Sequence, residues 1–244
     1  MHYISNAIFL ALATQAAAQY RPGGPYGPGG GGGRYSDNND DDNHGPFGSS
    51  DGFMSGRQKI LIAHGVLASL AFVIFFPLGS ILIRLGSFRG LWLIHGLFQI
   101  FAYVIYVVAF GIGIYIVRNV PVNILNNYHP VIGITVFALL FFQPFLGLMH
   151  HFQYKKLKRR TLWSYGHLWL GRIAITLGMI NGGLGMLLAT ETGRFEPARS
   201  QIIAYGVVAG LMWVAWAAAS VTGERRRKGS RKVAEIGTSK EQYA

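Results

Sequence analysis

The sequence predicts an all-α integral membrane protein with five transmembrane helices, and three observations carry that prediction. Charged residues make up only 13% of the chain against 51% hydrophobic, about half the charged share of a soluble domain. Five apolar stretches, at 58–83, 91–117, 127–150, 164–188 and 200–222, are each long enough to cross about 30 Å of hydrocarbon at ~1.5 Å per residue. Four of the five carry a histidine within their first two turns: His64, His95, His129 and His167. Histidine is costly in hydrocarbon and marks function when it lies inside a span.

Taken in order, residues 1–18 read as a secretory signal. A short apolar run from Ala7 to Ala13 precedes the small residues Ala16, Ala17 and Ala18, and cleavage is expected after Ala18. Residues 19–56 form a leader rich in Gly, Pro and Asp, with too little apolar surface to offset backbone entropy, so disorder is expected there. The membrane domain occupies 57–222, and a basic tail occupies 223–244. The loops are short, so successive helices should run antiparallel as neighbours. Pro77 and Pro144 fall inside the first and third spans and should bend them. The glycines of the fourth span, Gly178, Gly182, Gly183 and Gly185, suit either close helix packing or space for a macrocycle. Tyr115, Tyr128, Trp163 and Tyr205 near the span ends read as an interfacial aromatic belt.

Orientation follows from the basic residues. Arg84 and Arg89 lie in the first loop, and Lys155, Lys156, Lys158, Arg159 and Arg160 in the third. The tail adds Arg225, Arg226, Arg227, Lys228, Arg231 and Lys232. These segments fall on one face, which reads as cytoplasmic, with the N-terminus outside and the protein in the plasma membrane or an endomembrane. The net charge of +12 therefore reflects topology and attraction to membrane lipid. Nucleic acid is not an expected partner, because no basic soluble domain carries the charge. The chain has no cysteine, which excludes disulfides, thiolate-ligated haem, Cys-held iron–sulfur clusters and covalent c-type haem.

Antiparallel alternation places the starts of spans one and three at one face and those of two and four at the other. His64 then sits beside His129 on the outer side, and His95 beside His167 on the inner side. Two facing pairs of imidazoles are what two bis-histidine haems require. The two centres would lie no more than roughly 28 Å apart along the membrane normal. Structural zinc is disfavoured, since it wants four ligands per site and each face supplies two. His150 and His151 close the third span; either could replace an inner ligand, and their basic surroundings favour a headgroup-level or donor-contact role. Arg172, five residues after His167, is a candidate partner for a haem propionate, with snorkelling to the surface as the alternative. Arg84, Arg89, Lys155 and Lys156 are candidate contacts for an anionic electron donor. A non-redox scaffold held together by its histidines, or a proton-coupled transporter, are the competing readings.

The histidine contexts LIAHG, LIHGL, NYHPVIG and GHLWLGR, together with MHHFQYKK, resemble those of the cytochrome b561 family in its fungal form. The resemblance covers about residues 57–222. It implies a four-helix haem-bearing bundle with two haem b cofactors, ligated by His64 with His129 and His95 with His167. It also implies electron transfer from a cytoplasmic donor such as ascorbate to an outside acceptor: monodehydroascorbate, ferric iron or a redox protein. Such a protein would be a transmembrane reductase, and a homodimer is an admissible assembly. Five spans instead of six, and no fused extracellular DOMON-type domain, set this chain apart from the ascorbate-dependent and fused members.

Overall fold

The computed structural model describes residues 56–119, 123–193 and 196–242, and these form helices joined by short loops, with no strand among them. The expected signal segment 1–18, and all of the leader except Gly56, lie outside the described residues. Five helices are long and apolar enough to span a bilayer: α1 Gly56–Leu85, α2 Leu91–Asn119, α3 Tyr128–Leu157, α4 Leu162–Glu191 and α5, whose spanning part is Arg199–Ser230. Helices α1–α4 make an antiparallel bundle, and α5 lies against α1 and α4. Large apolar side chains such as Leu97, Phe145 and Val214 remain exposed, as expected where lipid rather than water is the solvent.

Local chemistry explains three of the helix ends. Asn127 caps α3, its side chain accepting from the His129 N–H at 3.0 Å. Lys158 closes α3 in the left-handed region at φ 52°. Thr161 precedes α4, and its N–H donates to Ser164 Oγ at 3.2 Å. The expected bend at Pro77 takes a specific form: Leu70–Phe75 is π-helical, and the Phe76 N–H donates to the Ala71 carbonyl, five residues back. Proline has no N–H to give, and its ring would press on the carbonyl four residues earlier. A widened turn relieves both, and it drives Ala71, Phe72 and Val73 into the core.

Two expected boundaries change. Helix α3 runs on to Leu157, well past His150, and α5 runs from Arg199 to Gln242, continuing through the residues assigned to a separate tail. Hydropathy locates the apolar part of a helix. It does not locate the helix end when good helix formers such as Arg, Lys and Glu follow.

The core is built from Phe72, Phe76, Tyr106, Val136, Leu140, Ile175 and Met179 around the fully buried Ala71, Ala102, Ala109 and Ala174. Small residues let backbones approach, and aromatic rings fill what they leave. A Cβ on Gly178 would collide with the Phe72 ring, and one on Gly182 with the Tyr205 ring. Tyr205, assigned to the interfacial belt by sequence, instead points inward and donates to the Met179 carbonyl at 2.6 Å. Trp216 of α5 donates to Ser80 Oγ of α1 at 3.0 Å.

Tyr106 donates to the Gly133 carbonyl at 3.0 Å, tying α2 to α3. Tyr106→Phe should lower bundle stability by about 0.6 kcal/mol, the usual worth of one interhelical hydrogen bond in a membrane. Unfolding in mixed detergent micelles measures this. A loss well beyond ~1.7 kcal/mol would assign the hydroxyl a role other than helix pairing.

Candidate functional site

The four helix-start histidines meet in two pairs. The His64 and His129 rings have centroids 5.9 Å apart at an interplanar angle of 89°. Those of His95 and His167 are 6.4 Å apart at 90°. Each pair joins helices that stand diagonally across the bundle, α1 with α3 and α2 with α4. An axial imidazole places its metal about 2 Å from the ring nitrogen, which is itself ~1 Å from the ring centre. Two imidazoles on one metal therefore have centroids about 6 Å apart, and both pairs have that spacing.

Three of these four histidines are held from behind. His64 Nδ1 lies 2.7 Å from the Ala109 carbonyl, His95 Nδ1 2.8 Å from Gly79 and His129 Nδ1 2.9 Å from Asn181. A carbonyl only accepts, so each Nδ1 carries the proton and each Nε2 keeps its lone pair. This is the orientation that second-shell partners impose on metal-binding histidines. His167 Nδ1 is buried, and the Gln143 carbonyl on that side falls outside hydrogen-bonding geometry. The Gln143 side chain instead donates to the His167 carbonyl at 3.3 Å.

Glycines make these approaches possible. A Cβ on Gly113 would stand 2.9 Å from His64 Cε1, one on Gly185 2.8 Å from His129 Cε1, and one on Gly147 3.2 Å from His167 Cε1. Each glycine lies four residues beyond Ala109, Asn181 or Gln143, one helical turn on. That spacing was present in the sequence, and it is the signal that separates cradle glycines from packing glycines.

The contacts also fix the depth of each pair. Along α2, α3 and α4 the two levels are 14 residues apart, as in His95 to Ala109 and His167 to Asn181; along α1, His64 to Gly79 is 15. The extra residue in α1 is absorbed by the wide turn at Leu70–Phe75. At ~1.5 Å per residue the two levels are about 21 Å apart, inside the bound set by span length.

Residues 63–191, just over half of the chain, match the family described as eukaryotic cytochrome b561. The chain belongs to that family. A cytochrome b561 and DOMON domain-containing protein of Arabidopsis thaliana is 32% identical over 132 residues, covering 53% of this chain and 32% of the relative. A cytochrome b561 domain-containing protein of the same plant is 29% identical over 126 residues, 48% of this chain and 47% of the relative. The chain thus spans less than half the length of these relatives. No solved structure matches it. Cytochromes b561 are haem b proteins of membranes that carry electrons across them, and all four helix-start histidines lie within the matched region.

The remaining cytochrome b561 candidates divide. His150 sits beside the His95–His167 pair, its ring 6.2 Å from that of His167 and nearly parallel, with Nδ1 2.7 Å from Ser164 Oγ. His151 stacks on Trp92 at 4.0 Å, joining the end of α3 to the start of α2. That stack brings the Arg89 loop and the Lys155–Lys156 turn to one side, where all three side chains are exposed. Arg84 does not join them; it packs against Gly223 of α5. Arg172 has its own set of neighbours. Five residues after His167, it lies about 140° around α4, with its guanidinium 5.0 Å over the Trp169 ring. It lines a cleft with Arg160 and Glu224. No cluster of three or more His, Cys, Asp or Glu suited to a metal ion occurs among the described residues.

Proposed function

We propose that this chain passes electrons across a membrane through two haem b groups, one held by His64 and His129 and the other by His95 and His167. The observation that carries this reading is the spacing of both ring pairs, 5.9 and 6.4 Å, combined with the carbonyl-held Nδ1 atoms of His64, His95 and His129, which leave Nε2 free. Bound there, haem would supply a one-electron ferric/ferrous couple suited to electron transfer. The protein's part is to fix four imidazoles at two depths and to exclude water between them with Phe72, Tyr106, Val136 and their neighbours.

The proposed direction runs from a cytoplasmic donor, ascorbate or another small anion, to an acceptor outside: ferric iron, monodehydroascorbate or a redox protein. It rests on the distribution of Lys and Arg between the two faces. A reduced-minus-oxidised spectrum with haem quantification tests the reading. Two b haems per chain are expected. A folded protein that purifies colourless would favour the scaffold or proton-coupled transporter instead.

Arg89 and Lys155 are the proposed donor contacts, since they stand exposed beside the Trp92–His151 stack at the inner pair's end. Arg89→Gln with Lys155→Gln should slow reduction by ascorbate roughly three- to tenfold at low ionic strength and flatten its salt dependence. Both haem spectra should be unchanged. Stopped-flow reduction at low and high salt measures this, and a rate and salt slope equal to wild type would place donor entry elsewhere.

A further inference from the structure

The cleft between α4 and α5 has a volume of about 210 Å³ and is lined by Arg160, Tyr165, Leu168, Trp169, Arg172 and Glu224. Its charge does not balance. Glu224 is held by Arg160 at 2.9 and 3.1 Å and by Arg227 at 2.6 Å. Arg84 and Arg172 lie within electrostatic reach of the same group. Four guanidinium groups thus gather around one carboxylate. Arginine does not deprotonate in proteins, so the cluster keeps an excess of three positive charges.

Arg172 is the member with an open side. It makes no ion pair with a carboxylate among the described residues, and its contact is the Trp169 face. It stands ten residues into α4, roughly 15 Å along the helix, within a span by length and composition. A positive excess at that depth is costly unless an anion accompanies it. Basic pockets between membrane helices near the cytoplasmic surface recruit anionic headgroups, and the planar guanidinium fork matches phosphate oxygens.

We infer that this cleft binds the phosphate of an anionic glycerophospholipid, with Arg172 as its principal contact and Trp169 as the platform that holds the guanidinium. Two observations select lipid over free phosphate. Leu168 and Trp169 supply an apolar wall for the glycerol and upper acyl chain, and Trp169 is 56% exposed on the surface that faces lipid. The Glu224 carboxylate in the lining does not repel the ligand, because Arg160 and Arg227 already neutralise it. The inference does not depend on the haem assignment, since the cleft opens on the side of α4 away from His167.

The test is lipid retention by the full-length purified protein, read by native mass spectrometry in detergent. Dioleoylphosphatidylglycerol and dioleoylphosphatidylcholine are supplied together. Wild type should retain the anionic lipid about tenfold over the zwitterionic one. Arg172→Gln should bring the two to parity. Trp169→Leu, which keeps the charge and removes the platform, should fall between. Arg159→Gln, which removes an exposed charge from the same loop, should retain the wild-type ratio. Equal retention of both lipids by wild type would overturn the inference. So would an unchanged ratio in folded Arg172→Gln, or full displacement of the lipid by millimolar inorganic phosphate.

Discussion

Replacing His129 with alanine is expected to remove one haem per chain and to leave the other spectrally intact. His129 reaches across the bundle to His64, and its Nδ1 is anchored on the Asn181 carbonyl. Alanine deletes one of two proposed axial ligands, and a metal that depends on a pair of imidazoles keeps only one. The other pair stands about 21 Å away along the helices, with His95 on α2 and His167 on α4. It shares no imidazole with the His64–His129 pair. Haem per chain should therefore fall from two to one, and redox titration should show a single remaining component. Loss of both haems from a still-helical protein would mean that the two centres form one structural unit. Loss of neither would remove His129 from the ligand set. His167→Ala should give the complementary result, unless the adjacent His150 takes its place.

Adding one methyl group at Gly178 is the second change with a large expected effect. A Cβ there would run into the Phe72 ring. That ring has little freedom to move: it is 4% exposed, packs edge-on to Tyr106 at 4.7 Å and lies 5.2 Å from Phe76. It also belongs to the widened turn of α1, whose backbone is already committed by Pro77. Gly178→Ala should cost about 1–3 kcal/mol from overpacking. Gly183→Ala is the matched control, because nothing lies within 4 Å of a Cβ built there; it should be neutral, or stabilise by up to ~1 kcal/mol through helix propensity. Unfolding midpoints in mixed micelles compare the two. Equal midpoints would show that α1 and α4 separate easily at this level.

The helix count and the diagonal partnering of the histidines were legible in the sequence, because both follow from hydropathy and from the alternation of antiparallel spans. The use of each glycine was not. Gly178 and Gly182 make room for Phe72 and Tyr205, while Gly185 makes room for His129. Composition treats all three alike; only the one-turn offset from the carbonyl that holds the imidazole distinguishes Gly185. The wide turn at Leu70–Phe75 leaves no hydropathic trace, since its residues are apolar whether the turn closes at four or five. The neighbours of Arg172 were not legible for a geometric reason. Its phase relative to His167 turns it from the imidazole pair, and its nearest carboxylate, Glu224, lies just beyond the predicted end of the fifth span.

The carbonyl anchors have a meaning for biosynthesis. His64 is anchored on α2 and His95 on α1, and His129 is anchored on α4, so these three are tethered within their own hairpin. The first hairpin therefore carries one imidazole of each pair already aimed, His64 and His95, and the second carries His129 aimed on its own partner helix. Neither half contains a complete pair. Under the proposed ligand set, cofactor capture would wait until the second hairpin has docked on the first, and both centres would be completed in the same assembly event. Two separately expressed halves, divided between α2 and α3, should each emerge colourless and acquire pigment only when they are made together.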